Sequence, residues 1–268
     1  MKTLPEEIEQ YRDRKWRREE ALKVETAQQV EEMVEDLGFC LGLTDARKDL
    51  PSVYIAVCGR RDAHMPRNVQ KDPEASLAWT IKDDILRRGR MHYGKLRGNR
   101  SIFIARALVP FFNSVFGVER RQERVRLTEP AQNILKVLRK EWEMATGDLR
   151  KASGVTDRQT FTKAIDELQR VFKVIPSEVV YAPKFTYIWS LAESRFQVEI
   201  ETKVDREAAL REIARAYLKG AGMTLRGELA RATGISNPEA GVGNWALVDE
   251  GFASRLAPGI YRLKELSP

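Results

Sequence analysis

The sequence is poor in the residues that build metal sites and disulfide frameworks. It has two cysteines, Cys40 and Cys58, and two histidines, His64 and His92, among 268 residues. Neither cysteine has metal-ligand spacing with a histidine, so no metal site is expected. Both cysteines lie in apolar surroundings, which predicts buried thiols without a chemical role.

Long hydrophobic runs are also missing. No window approaches 18 consecutive apolar residues, and the first residues lack the apolar stretch of a signal peptide. These absences predict a cytoplasmic protein with no membrane partner. A chain of 268 residues with 43% hydrophobic residues can build several small cores, and three domains are expected.

Positive charge is concentrated in one segment of the chain. The net charge is +7, and residues 87–126 hold 11 Lys and Arg against 2 Asp and Glu. Such a field attracts phosphate through charge and counterion release, although a solvated basic face is the alternative. The expected nucleic-acid contacts here are Arg87, Arg88, Arg90, His92, Tyr93, Lys95, Arg97 and Arg100.

Apolar spacing in the first half predicts mainly helices. Residues 6–37 predict one or two amphipathic helices that stop at Gly38, and residues 39–43 predict a short strand or a buried turn. Residues 79–86 and 102–116 predict two more helices, the second interrupted at Pro110. Residues 60–76 and the basic stretch after residue 86 are expected at the surface.

An internal repeat organises the second half. Residues 147–154 (Gly-Asp-Leu-Arg-Lys-Ala-Ser-Gly) and 227–234 (Gly-Glu-Leu-Ala-Arg-Ala-Thr-Gly) have four identical and three chemically similar positions at an offset of 80. Each lies between two predicted helices and is followed by predicted strands. The pattern predicts a mainly helical α+β fold with tandem winged-helix (helix-turn-helix) domains at 127–195 and 196–268, after a helical, winged-helix-like domain at 1–126.

The two repeats differ in charge on the helix that enters the major groove in helix-turn-helix proteins. In the first repeat this helix carries Arg158, Gln159 and Lys163, which can bind bases and phosphates. The corresponding stretch of the second repeat has acidic residues and no Lys or Arg, so this repeat is expected to pack or brace. Duplex DNA is the expected partner; the alternative is that both repeats are structural or bind protein.

Three stretches carry a resemblance to a known family. Trp79-Thr80-Ile81-Lys82-Asp83-Asp84-Ile85, Tyr93-Gly94-Lys95-Leu96 and Tyr187-Ile188-Trp189-Ser190-Leu191, with the order of elements, resemble the AlkZ-like winged-helix DNA glycosylases, especially the divergent AlkZ-related branch. The resemblance covers nearly the whole chain. It implies a DNA-binding groove, excision of alkylated or crosslinked bases, and no metal or organic cofactor.

The resemblance also implies a catalytic Gln-x-Gln or Gln-x-Asp motif on a short strand after an early helix. The best match is residues 38–43, which places Leu41 and Leu43 at the two polar positions. A leucine side chain can neither position water nor stabilise a sugar cation. The known catalytic groups of the family are therefore absent on this alignment.

Other polar residues near the basic segment are candidates for chemistry. Asp83 or Asp84 could activate water or stabilise an oxocarbenium-like sugar, and Lys82 could pair with the carboxylate or attack C1′. Trp79 or Tyr93 could stack on an unpaired base. The alternative is a helix turn with a buried tryptophan and a Lys–Asp pair at the surface.

Two classes of function remain open. One is a glycosylase-type repair enzyme with a changed active site, and the other is a non-catalytic DNA-binding protein such as a regulator or damage sensor. A protein-interaction scaffold is a third class, which predicts weak DNA binding with little salt dependence. Only the enzyme would yield an abasic product.

Overall fold

The computed structural model describes residues 4–96 and 100–266. Arg97, a predicted nucleic-acid contact, lies outside the described residues. Within these ranges the chain has a mainly helical α+β fold with three small antiparallel sheets. None of the described helices combines the length and the apolar character needed to cross a bilayer.

The first part of the chain begins with two helices, α1 (Glu6–Lys15) and α2 (Ala27–Leu37). Thr26 and Gln29 form a capping box that begins α2, and Gly38 ends it with a φ of +82°. The remaining elements are β1 (Phe39–Leu41), α3 (Val53–Cys58), α4 (Pro73–Arg88), β2 (His92–Lys95), β3 (Ser101–Ile104) and α5 (Val109–Phe116). The predicted helices before Gly38 and the strand after it are confirmed.

The helix predicted over residues 102–116 is wrong in its first part, because α5 begins only at Val109. Residues 102–104 lie in β3, the central strand between β1 and β2, where Phe103 pairs with Cys40 and Tyr93. Two isoleucines beside a phenylalanine favour a buried central strand over a helix. The helix begins later, and Pro110 lies in the first turn of α5, where a proline is tolerated.

The second part of the chain contains the first of the two predicted repeats. Its elements are α6 (Glu123–Arg126), α7 (Glu129–Glu141), β4 (Glu143–Ala145), α8 (Thr146–Ala152), α9 (Arg158–Arg170), β5 (Val174–Val180), β6 (Thr186–Leu191) and α10 (Glu193–Glu201). Asp157 caps α9 through the backbone N–H of Thr160. The three helices and the two strands predicted here are confirmed.

The third part contains α11 (Arg206–Ala221), β7 (Met223–Thr224), α12 (Glu228–Thr233), α13 (Asn237–Asp249), β8 (Ala253–Ala257) and β9 (Ile260–Leu263). The strand orders of the three sheets are β1-β3-β2, β4-β6-β5 and β7-β9-β8, so the last strand is always central. Each sheet draws its strands from one helix–strand–helix–helix–strand–strand run. The same order therefore occurs three times among the described residues.

The apolar core is divided unequally among the three parts. The second part has a core of its own, which includes Ile134, Phe161 and Leu168. The first and third parts share one core, to which Phe172, Ile175, Ala192 and Phe196 of the second part also contribute. In this core Phe39 stacks on Tyr217 with 6.2 Å between ring centres. The first and third parts are thus a single packing unit.

A buried ion pair also joins the first and third parts. The guanidinium of Arg12 in α1 donates two hydrogen bonds to the Glu228 carboxylate at the start of α12, at 2.9 and 3.0 Å. The side chains of Arg12 and Glu228 are 0% and 2% exposed. Because both charged groups are out of water, each is stabilised mainly by the opposite charge of the other.

Candidate functional site

Lys82 and Asp83 form a buried ion pair on α4. Lys82 Nζ lies 2.6 Å from Asp83 Oδ1, and each side chain is 2% exposed. The alternative of a Lys–Asp pair at the surface is therefore wrong. The face of α4 that carries these residues is covered by the β5–β6 hairpin, which lies about 100 residues further along the chain.

Aromatic side chains enclose this pair. Lys82 Nζ donates a hydrogen bond to Tyr187 Oη at 2.9 Å and lies 4.2 Å from the centre of the Trp79 ring. Tyr181 Oη donates to Asp83 Oδ2, and Trp79 Nε1 donates to Tyr181 Oη at 3.2 Å. The structure therefore brings the predicted residues Trp79, Lys82 and Asp83 together beneath two tyrosines of the hairpin.

The aromatic residues of the β5–β6 hairpin were not predicted from the sequence as site residues. Phe185, Tyr187 and Trp189 occupy alternate positions and lie on one face of the hairpin, with successive ring centres 5.3 and 5.5 Å apart. Tyr181 at the tip is 54% exposed. Alternation of aromatic residues along a predicted strand is the signal that could have found this face.

A cavity of about 360 Å³ lies on the other side of Tyr187 from the pair, and neither Lys82 nor Asp83 lines it. Its lining includes Tyr93, Lys95, Arg158, Asp166, Phe185 and Tyr187. Tyr187 connects the two features, because it lines the cavity and also accepts the hydrogen bond from Lys82. Burial, with the Asp83 carboxylate nearby, raises the pKa of Tyr187 to about 12, so its hydroxyl keeps its proton at neutral pH.

Three predicted nucleic-acid contacts meet at this cavity. Tyr93 and Lys95 reach it from β2, and Arg158 reaches it from the start of α9. Lys95 Nζ lies 2.6 Å from the nearly buried carboxylate of Asp166. Gln159 and Lys163 are exposed on α9 and do not line the cavity.

Asp84 and the first arginines of the basic segment lie apart from the buried pair. Asp84 is half-exposed and contacts Arg87 at 3.0 Å, and Arg87 also contacts Glu178 at 2.7 Å. Arg88 and Arg90 both contact Glu31, at 2.8 and 3.5 Å. Acidic partners from other segments therefore offset much of the positive charge expected at residues 87–90.

The prediction that His92 contacts phosphate is wrong. The His92 side chain is 1% exposed, and its ring stacks on Phe172 with 4.5 Å between centres. Strand alternation in β2 turns His92 and Gly94 toward the interior. Neither ring nitrogen has a hydrogen-bond partner, and burial lowers the pKa of His92 to about 3.

Burial of His92 predicts a pH-dependent stability. The folded-state pKa lies below the unfolded value of about 6.5, so the unfolded state binds the extra proton between these values and stability falls as pH drops through this window. We expect a loss of about 2 kcal/mol between pH 7 and pH 5 from this group. Urea unfolding at both pH values should show a smaller loss for His92→Phe; an equal loss would contradict the assignment.

The two leucines that the sequence analysis aligned with the family's catalytic motif are mostly buried. Leu41 lies in β1, pairs with Ile102 and is buried, and Leu43 packs against the same core. Cys40 and Cys58 are both buried free thiols, as predicted. In residues 4–96 and 100–266, no group of three or more His, Cys, Asp or Glu side chains could hold a metal ion.

Comparisons with known proteins identify a family profile and a similar fold. The profile of the family described as AlkZ related matches residues 24–221. No curated protein matches the sequence. The fold is similar to that of the Streptomyces sahachiroi DNA glycosylase AlkZ, with a TM-score of 0.53 and 12% identity over 96% of this chain and 70% of that chain. Because the profile spans well over half of its length, this chain belongs to the AlkZ-related family.

Proposed function

We propose that this protein is a glycosylase-type DNA-repair protein that binds duplex DNA and acts at the Lys82–Asp83 pair. The observation that carries the proposal is a buried carboxylate–ammonium pair beneath aromatic rings, with a cavity of about 360 Å³ on the other side of Tyr187. A carboxylate can activate water and stabilise a cationic sugar, and aromatic rings stack on an extruded base. The fold shared with a DNA glycosylase supports the same class.

We propose further that the three repeated runs are winged-helix domains, at residues 1–126, 127–195 and 196–268. The threefold recurrence of one element order and one strand order supports this assignment. Helix α9 exposes Arg158, Gln159 and Lys163 and would enter the major groove. The β5–β6 hairpin would be the wing that reaches the target nucleotide.

The proposed reaction is hydrolysis of an N-glycosidic bond. Asp83 accepts a proton from water while the water oxygen bonds to C1′, and the base leaves with the electron pair of the C1′–N bond. Lys82 orients the carboxylate. Because its ammonium is paired with Asp83 and held against the rings of Trp79 and Tyr187, its nitrogen has no free electron pair, and an imine intermediate is not expected.

Access to Asp83 requires movement of the hairpin tip. Tyr181 covers the carboxylate by its hydrogen bond, yet more than half of the tyrosine is exposed. A nucleotide that displaces Tyr181 would place its sugar at Asp83. Its base would then enter the cavity between Tyr93 and the aromatic face of the hairpin, where Asp166 and Arg158 offer hydrogen bonds.

The test is base release from defined lesions. Duplexes that carry single alkylated or crosslinked bases should give alkali-sensitive strand breaks after incubation with the full chain. Borohydride should trap no covalent complex, because the mechanism forms no imine. Release by way of a trapped complex would assign the attack to Lys82 instead of water.

One observation favours a second candidate, a non-catalytic DNA-binding protein. The Lys82–Asp83 pair is almost fully covered, with each side chain only 2% exposed. In that function the pair would only hold the wing against α4. Tight duplex binding with no base release from any lesion would favour this candidate.

A further inference from the structure

A second cavity, of about 750 Å³, lies in the third part of the chain between α12, α13 and the β8–β9 hairpin. Arg226 and Arg231 line it, and no Asp or Glu is among its lining residues. Within the described part of the chain, neither arginine side chain makes an ion pair or a hydrogen bond. By contrast, Arg211 and Arg215 of the same part both contact Glu212 and Glu250.

The wall of this cavity also holds an unsatisfied amide. Asn244 is 5% exposed, and its Oδ1 has no hydrogen-bond partner. An unsatisfied buried polar group costs about 1–3 kcal/mol. Oδ1 only accepts hydrogen bonds, so the N–H groups of the same amide are the part that can donate to an anion.

Glycines keep part of the cavity free of side chains. A Cβ atom added at Gly241 on α13 would have no neighbour within 4 Å. At Gly259, where φ is +77°, an added Cβ atom would lie 3.0 Å from Cγ of Arg226, so the turn packs closely on this arginine. The cavity therefore combines open space, two unpaired guanidinium groups and an unsatisfied amide.

We propose that this cavity binds a phosphate group of the DNA backbone, so that the third part contacts the duplex directly. The proposal rests on the proposed duplex binding. It replaces the bracing role expected from the sequence. That expectation rested only on the acidic charge of the helix α13. The cations lie instead on α12 and in the turn before it, and a pair of guanidinium groups is well suited to phosphate oxygens.

A row of cations favours a polymer backbone over a single small anion. Arg100, at the start of β3, has no acidic partner among the described residues. Its pKa is lowered by partial burial and by the nearby charge of Arg231. Positive charge thus continues from the cavity toward the first part of the chain, as a run of spaced phosphates requires.

The test is the salt dependence of binding to an undamaged duplex. The full chain, Arg226→Ala/Arg231→Ala and Arg211→Ala/Arg215→Ala would be compared by fluorescence anisotropy at several salt concentrations. The last variant is the matched control, because it also removes two positive charges from the third part. We expect the first double variant to lower the slope of log affinity against log salt by about 2, and the control to leave it nearly unchanged.

A second pair of variants avoids any loss of arginine packing. Gly241→Glu should weaken duplex binding at least about tenfold by placing a carboxylate in the cavity, whereas Gly241→Gln should bind as the parent does. Equal slopes for the two arginine variants would overturn the proposal. So would a parent chain that does not bind the duplex. Because undamaged DNA is the probe, a failure of base release leaves this test unaffected.

Discussion

Asp83→Asn is expected to lower base release at least about 100-fold, because the substitution removes the group that accepts the proton from water. Duplex affinity should stay nearly unchanged, since loss of one negative charge cannot weaken attraction to phosphate. Release would be measured in single-turnover reactions with the best lesion from the panel. This measurement separates chemistry from binding, because at saturating protein a small change in affinity has no effect on the observed rate of release.

Asp84→Asn is the matched control for this experiment. It makes the same chemical change one residue further along α4, in a half-exposed side chain whose one ion pair among the described residues is with Arg87. We expect release within about twofold of the parent and a stability change below about 1 kcal/mol. Equal losses from both substitutions would remove Asp83 from the mechanism.

Folding must be followed in the same samples, because breaking a buried pair typically costs about 3–5 kcal/mol. Lys82→Met/Asp83→Leu replaces the pair with apolar side chains and should recover much of any lost stability. If this double variant is stable, binds duplex and still releases base, the pair has only a structural role. If it is stable and inactive, the chemical role stands.

Arg12→Met is expected to give the largest loss of stability, about 3–5 kcal/mol, because it leaves the buried carboxylate of Glu228 without its cation. The same change removes the hydrogen bond from Arg12 Nη2 to the Met223 carbonyl oxygen. The measurement is urea unfolding followed by circular dichroism, with the midpoint and slope compared between variants.

Two further variants make this result interpretable. Arg14→Met, on the exposed side of the same helix, should change stability by less than about 0.5 kcal/mol. Arg12→Met/Glu228→Met should recover part of the loss, because it leaves no unpaired charge. If Arg12→Met alone were as stable as the parent, the Glu228 carboxylate would have found water or another partner.

The candidate site was predictable from the sequence in its chemistry but not in its burial. Lys82 and Asp83 were named from their residue types and from their position before the basic segment. Their enclosure depends on Tyr181 and Tyr187, which lie 98 and 105 residues further along the chain. Helical periodicity in α4 cannot report such a contact, because it records one face of one element.

The repeats show the same limit at the level of the fold. The Gly-flanked helices at residues 147–154 and 227–234 made the second and third runs visible, whereas α3 in the first run carries no such signature. The sequence places Ile102 and Ile104 in one predicted helix with the residues of α5, because no glycine or proline separates them from Val109. Only pairing with β1 and β2 shows that they lie in a central strand.

The core shared by the first and third parts also constrains how the chain folds during synthesis. The first part contributes Phe39 to a core that α11 completes with Tyr217, so closure of this shared core must wait for α11 to leave the ribosome. The second part, which has its own core, can fold during that wait. Domains generally fold as units from the N-terminus onward. The middle segment can therefore complete its own core before the core shared by its two neighbours closes.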